Sequence, residues 1–248
     1  MLRGIEDMPA VIDTLVGAAP DAVQLTIGQA PLLQDRPGRD KPALVLRIDT
    51  SNVYGPDPTR ELFSLVIDGA VEQAVQLDAA CVVLNLLDVP DHPELRRDCL
   101  RNVTRVQAAC ASAGMPLMVE PLAFAAATGG YDTVGDVDRI VGLVRQAVEL
   151  GADVIKADPT DDLATYDRVV QAAAPAPVLV RGGGRVSDAE VFARTRSLLD
   201  RGARGVVYGR NVFQHPSPAA MTRGLMALLH DDVSAADAAT VLAEAPPA

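Results

Sequence analysis

Two periods alternate along the chain. Apolar residues recur at helical spacing over 5–18, 61–77, 94–113, 136–150, 160–173, 187–199 and 216–229. Between them lie short, nearly continuous apolar runs at 21–27, 42–49, 79–87, 115–122, 152–157, 177–181 and 205–208. Continuous apolar runs, rather than alternating ones, are the mark of strands buried on both faces. The punctuation agrees with this division. Gly114 and Gly151 follow two of the helices, Asp136 stands where a cap is needed, and Ser187 and Glu190 have capping-box spacing. Residues 28–40, 50–60 and 123–135 read as loops.

Strict alternation of strand and helix predicts an α/β protein with a parallel sheet. Polar residues stand at the C-terminal ends of many different runs: Asp49, Asn85, Glu120, Lys156, Arg181 and the glycine loop at Gly209. An open sheet would spread them along an edge, whereas a (β/α)8 TIM barrel gathers them at one mouth. The expected fold is therefore a single (β/α)8 barrel over residues 1–229, followed by a C-terminal tail, 230–248, that is either helical or frayed. Seven strands are legible and the chain opens on a helix, so the first β-strand of the barrel is expected to be missing. The edges of 21–27 and 205–208 would then be open. Such edges favour a partner segment or assembly into a homo-oligomer.

Composition narrows the functions open to this fold. Net charge is −11, which argues against nucleic acid or an anionic membrane as partner, although a small phosphate can be held locally. No apolar run approaches the roughly 18–20 residues of a membrane span, and the N-terminus lacks a signal-peptide pattern, so a cytoplasmic location is expected. Cys81, Cys99 and Cys110 show no C-x-x-C spacing and read as free core thiols. The histidines show no metal-ligand spacing, so no metal and no other cofactor is expected. Aromatic residues make up 3% of the chain, too few for stacking platforms.

The candidate chemistry centres on lysine. The chain has two lysines, Lys41 and Lys156, among 22 basic residues, and Lys156 lies inside an apolar strand. It either snorkels to water or serves as a buried amine with a depressed pKa, able to attack a carbonyl. Two glycine-rich stretches, Gly182-Gly183-Gly184 before the Ser187 cap and Gly209-Arg210 after the next strand, suit a phosphate, with Arg210 adding a charge-assisted contact. The alternative is a pair of tight turns. Proton transfer needs a carboxyl group, and Glu120 at the end of the preceding strand is the first candidate, its backbone restricted by Pro121. Asp49 is a candidate substrate ligand or a loop cap. Asp158 shares the face of Lys156 by the period of two, or caps the next helix.

The stretches Gly151-Ala-Asp-Val-Ile-Lys156, Arg181-Gly-Gly-Gly184 and Gly202-Ala-Arg-Gly-Val-Val-Tyr-Gly-Arg-Asn-Val-Phe-Gln214 resemble the class I aldolases of the archaeal-type fructose-bisphosphate aldolase group, allied to deoxyribose-phosphate and tagatose-bisphosphate aldolases. The resemblance runs from Gly4 to about Leu229. It implies a barrel in which Lys156 forms a Schiff base with a ketose phosphate and Gly183, Gly184, Gly209 and Arg210 hold the phosphate. Met118-Val-Glu120-Pro-Leu122 is similar to the Glu-Pro segment of the tagatose-type branch, whose glutamate moves protons, whereas the archaeal-type branch has a tyrosine there. It also implies a first strand ending in Asp-His-Gly ahead of Arg3. The expected function is Schiff-base cleavage or formation of a C–C bond in a phosphorylated ketose or deoxy sugar. A thiolase- or transaldolase-like reaction on the same barrel, or a barrel that binds a sugar phosphate without turnover, are the alternatives.

Overall fold

In a computed structural model the two periods separate into strands and helices, with residues 3–38, 40–52, 54–55 and 57–244 described. The first helix, α1 (Met8–Ala18), begins where the Asp7 carboxylate accepts the Ala10 N–H at 3.1 Å, so a local cap decides its start. Then follow β1 (Ala22–Thr26), α2 (Pro31–Gln34), β2 (Ala43–Arg47), β3 (Asp49–Thr50), β4 (Leu65–Val66), α3 (Ala70–Gln76), β5 (Cys81–Asp88) and α4 (Pro93–Ala113). The second half comprises β6 (Leu117–Ala127), β7 (Gly130–Thr133), α5 (Val137–Glu149), β8 (Val154–Ala157), α6 (Tyr166–Ala173), β9 (Val178–Arg181), α7 (Asp188–Asp200), β10 (Gly205–Val207), α8 (Arg210–Phe213), α9 (Pro218–His230) and α10 (Ala235–Glu244). Gly114 ends α4 at φ +67, a conformation open to glycine at little cost. Ser187 and Glu190 form the expected capping box of α7.

Seven parallel strands run in the order β1-β2-β5-β6-β8-β9-β10, and β7 pairs antiparallel with the far end of β6. Among the described residues β1 pairs only with β2 and β10 only with β9, so the curled sheet has a seam between its first and last strands. The period of two divides the side chains. Leu44, Leu46, Val82, Leu84, Leu117, Val119, Ile155, Val178 and Val180 belong to the main core, shared with helix residues such as Val103, Leu143 and Val169. The alternate positions Val45, Cys81, Val83, Met118, Val154 and Leu179 make a separate small cluster on the other face of the sheet, the lumen. The central strands β5 and β6 are buried almost throughout, as a sheet covered on both faces requires.

Several expected boundaries move for reasons that lie outside the local sequence. The helix expected over 61–77 is confined to Ala70–Gln76, and residues 65–66 instead pair with β3 as β4. Buried Asp49 accepts the Ser64 hydroxyl at 2.6 Å and Ile67 N–H donates to Ile48 O at 2.9 Å, drawing this segment out straight. The strand expected over 115–122 continues to Ala127 and returns through Gly129 as β7, where Tyr131 N–H reaches Thr59 O at 2.8 Å. The helix expected from 160 opens as a 3-10 turn at Leu163–Thr165, capped by Asp162, before α6. The tail is a helix: α10 buries Ala238 beside Phe192 of α7 and Met221, Leu225 and Leu228 of α9, while residues 245–248 lie outside the described part.

All three cysteines are free and buried, and burial pushes Cys81 up to about 12, which leaves it an inert core thiol. None of the helices among the described residues is long and apolar enough to cross a membrane. The one-sided pairing of β1 and β10 has a measurable consequence. In hydrogen–deuterium exchange, amides of β5 and of residues 117–122 should be the slowest, and those of β1 and β10 at least about tenfold faster. Equal protection would show that the seam is covered in solution.

Candidate active site

Above the apolar cluster, one step nearer the C-terminal strand ends, the lumen becomes polar. Continuing the inward parity from Val45, Val83, Met118, Val154 and Leu179 gives Arg47, Asn85, Glu120, Lys156 and Arg181. Five neighbouring strands thus deliver one layer of polar side chains, the place where barrels carry their chemistry. One further step, past the ends of β2 and β8, gives Asp49 and Asp158.

Glu120 is the hub of this layer. Its Oε2 accepts Nη1 and Nη2 of Arg47 at 2.9 Å each and lies 3.0 Å from Lys156 Nζ, while its Oε1 lies 2.9 Å from Arg181 Nε. Arg181 also donates through Nη1 to Asp158 Oδ1 at 2.8 Å, so it bridges two carboxylates. Arg47 donates through Nη2 to Asn85 Oδ1 at 2.7 Å, and its Nε lies 3.0 Å from Asp49 Oδ1, an ion pair without hydrogen-bond alignment. Lys156 donates to Gln24 Oε1 of β1 at 3.1 Å, across the lumen. Three cations therefore face three carboxylates, and Glu120, Lys156 and Asp158 are 3%, 7% and 7% exposed.

Burial by itself would raise the Glu120 carboxyl, but the charges of Lys156, Arg47 and Arg181 outweigh it and hold the group down to about 2. Burial lowers Lys156, and the charges of Arg47 and Arg181 lower it further, against the pull of Glu120. Burial raises Asp158, with Arg181 opposing. The lysine is thus biased toward the neutral amine that can attack a carbonyl, and Glu120 toward a permanent carboxylate.

Of the residues singled out in the sequence, Lys156 and Glu120 meet directly. Asp49 is buried and occupied, accepting from Ser64 Oγ at 2.6 Å and Asn85 N–H at 3.0 Å besides its ion pair with Arg47. The glycine loops stand next to one another at the ends of β9 and β10. The Gly182 amide donates to Val207 O at 3.0 Å and a Cβ there would lie 2.9 Å from the Tyr208 ring, so Gly182 supplies close approach and no free N–H. Asn211, 2% exposed, holds the loops together by accepting Val186 N–H at 3.0 Å and donating to Gly184 O at 3.3 Å. Among the described residues the N–H groups of Gly183, Gly184, Gly209 and Arg210 have no protein acceptor, and the Arg210 side chain is exposed. At the start of α7 the capping box occupies the N–H groups of Ser187 and Glu190.

Three participants were not singled out in the sequence: Arg47, Gln24 and Asn211. Arg47 carried a signal, because it interrupts an apolar strand two positions before Asp49 and so shares its face. Gln24 likewise breaks the run of β1, but its partner Lys156 is 132 residues away in sequence.

A lysine buried in the lumen of a parallel (β/α) barrel, beside two glycine loops, is the arrangement of a barrel enzyme of the aldolase class. The chain belongs to the DeoC/LacD family of aldolases, which matches residues 1–215. It is 34% identical to the 2-amino-3,7-dideoxy-D-threo-hept-6-ulosonate synthase of Halobacterium salinarum over 98% of this chain and 86% of that protein. It is 28% identical to an uncharacterized aldolase of Saccharolobus solfataricus over 97% of this chain and 89% of that protein. Its fold superimposes on a Schiff-base-forming fructose-1,6-bisphosphate aldolase with a TM-score of 0.74 at 24% identity, covering 90% of this chain and 84% of the other.

The charge network predicts how the protein meets acid. Removing the Glu120 charge leaves Lys156, Arg47 and Arg181 without their shared carboxylate, so Glu120→Gln should cost about 3–5 kcal/mol in urea unfolding near neutral pH. A group lowered from 4.5 to about 2 contributes fully above 4.5, and that contribution fades as pH falls toward 2. The gap between wild type and Glu120→Gln should therefore shrink between pH 5 and pH 3. A gap that stays constant over that range would show that Glu120 is not the shared counter-ion.

Proposed function

We propose that the chain is a Schiff-base (class I) aldolase acting on a phosphorylated ketose or deoxy sugar, with Lys156 as the nucleophile. The observation that carries this reading is the buried, down-shifted amine at the end of β8, paired with Glu120 at 3.0 Å in the lumen. The neutral amine attacks the substrate carbonyl: a C–N bond forms and the carbonyl π electrons move to oxygen. Proton transfer and loss of water give the iminium; when the bond between the carbons α and β to it breaks, that electron pair forms the enamine C=C and the C=N π pair moves onto nitrogen. Arg47 and Arg181 favour the uncharged resting amine, and Glu120 compensates the iminium that replaces it. The free amides of Gly183, Gly184, Gly209 and Arg210, with the Arg210 guanidinium, form the phosphate cradle. Gly182 and Asn211 shape that cradle, and Asp49 fixes Arg47 and the segment through Ser64.

A second reading keeps the iminium and changes the acceptor. The Halobacterium relative is named a synthase, so the enamine left after cleavage can be passed to a second carbonyl compound rather than released. Three buried free thiols suit a reducing compartment, and we place the enzyme in the cytoplasm.

Sodium borohydride reduction in the presence of dihydroxyacetone phosphate or fructose 1,6-bisphosphate, followed by peptide mapping, should give a single adduct on Lys156 and none in Lys156→Ala. Modification of Lys41, or no adduct at all, would exclude the lysine mechanism. Arg210→Ala should raise KM for the phosphorylated substrate about 10–100-fold with kcat largely kept, the loss of a contact to a charged group. A fall in kcat with KM unchanged would place Arg210 outside the phosphate site.

A further inference from the structure

A class I aldolase needs a proton carrier besides its lysine. Both oxygens of Glu120 are occupied by cations. A carboxylate held this firmly in its ionised form is a weak base and a worse acid at neutral pH. Asp49 is likewise committed: its Oδ2 accepts from Ser64 and Asn85, and its Oδ1, although without a hydrogen bond, lies against Arg47 Nε at 3.0 Å. One carboxylate of the lumen remains partly free. Asp158 bonds Arg181 through Oδ1, and its Oδ2 is buried without a hydrogen-bond partner among the described residues. An unsatisfied buried carboxylate oxygen is costly and calls for an explanation. Helix capping does not supply one. Asp162 caps the 3-10 turn that follows, and Thr165 stands at the start of α6.

We infer that Asp158, and not Glu120, is the catalytic residue that carries the proton in this aldolase. The proposal rests on Lys156 as the nucleophile. Asp158 stands two residues beyond Lys156, just past the end of β8, on the same face and one step nearer the mouth, which is where a substrate joined to the amine must lie. Arg181 fixes its direction by holding Oδ1 at 2.8 Å and Glu120 Oε1 at 2.9 Å, leaving Oδ2 for the substrate. Once the iminium has formed, the Asp158 carboxylate takes the proton of the hydroxyl on the far carbon. That C–O becomes C=O, the C–C bond breaks, and its electron pair moves onto the iminium to give an enamine. Protonated Asp158 then returns the proton to the enamine carbon. Hydrolysis releases the second product and restores the amine. Burial raises the Asp158 carboxyl, which brings its basicity closer to working pH. The groups that bear on its titration are Arg181 from β9, Glu120 from β6, Lys156 of β8, and Tyr166 of α6, whose fully buried hydroxyl also lacks a partner.

The reverse of the last proton transfer can be read without knowing the natural substrate. Dihydroxyacetone phosphate in D2O should form a borohydride-trappable adduct on Lys156 in wild type and in Asp158→Asn alike. Wild type should exchange the carbon-bound proton next to the iminium, and Asp158→Asn should do so at least about 100-fold more slowly. In wild type the exchange rate per trapped adduct should rise with pH through one ionisation, shifted upward from that of an ordinary aspartate, and that limb should vanish in the variant. Formate should restore part of the exchange in Asp158→Ala. Adduct with undiminished exchange in Asp158→Asn would overturn the assignment and leave Lys156 standing. A wild-type rate per adduct that shows no rise with pH would do the same, even if the variants failed to fold. Absence of any wild-type adduct would overturn the lysine mechanism and this assignment together.

Discussion

Everything in the lumen depends on one buried carboxylate. Glu120, 3% exposed, is tolerated inside the barrel because Arg47, Lys156 and Arg181 each place a cation within about 3 Å of it. These partners come from β2, β8 and β9, so the network joins four strands of the sheet across its interior. The dependence runs both ways. Without the carboxylate the cations repel one another in a medium that screens poorly, and without the cations the carboxylate would be driven to its neutral form. A layer of this kind is satisfied only as a whole, and it ties the register of four strands to a single arrangement of side chains.

The same electrostatics divide the labour of the site. In the proposed mechanism Lys156 has to be uncharged to attack and charged as an iminium, and its surroundings bear on both states. Burial and two arginines weigh against the ammonium, and Glu120 compensates whichever positive charge is present. Arg181 carries the influence of the hub outward to Asp158, one step nearer the mouth. Beside this layer the two glycine loops are bound to each other by Asn211, and they present backbone amides of Gly183, Gly184, Gly209 and Arg210 without protein acceptors among the described residues. The seam between β1 and β10 is the part of the barrel least restrained by sheet hydrogen bonds, and Gln24, which reaches Lys156, belongs to its first strand.

Much of this was legible before any coordinates. Lys156 stood out because it occupies an apolar strand in a chain with one other lysine, and Glu120 because a carboxylate ends a strand just before a proline. The glycine loops are visible from their local sequence and their place after strands. Arg47 was visible in kind but not in consequence, since its value lies in partners 38 and 73 residues away. The helix within 61–77 is shorter than its periodicity implies because Asp49 and Ile48 draw residues 64–67 into extended structure through bonds that helical periodicity does not register. The return strand after Ala127 was hidden for a related reason: a run of alanines and glycines carries little preference of its own, and contact with Thr59 helps to settle it.

The amino-acid sequence by itself determined the alternation of strands and helices, the gathering of polar residues at the strand ends, and so the barrel and its lysine. These follow from periodicity and from the cost of burying charge, which act between near neighbours and can be read residue by residue. The tertiary structure alone decided which carboxylate would be locked and which left open. That choice depends on where two arginines from distant strands converge, and the field at a buried group is a sum over everything around it.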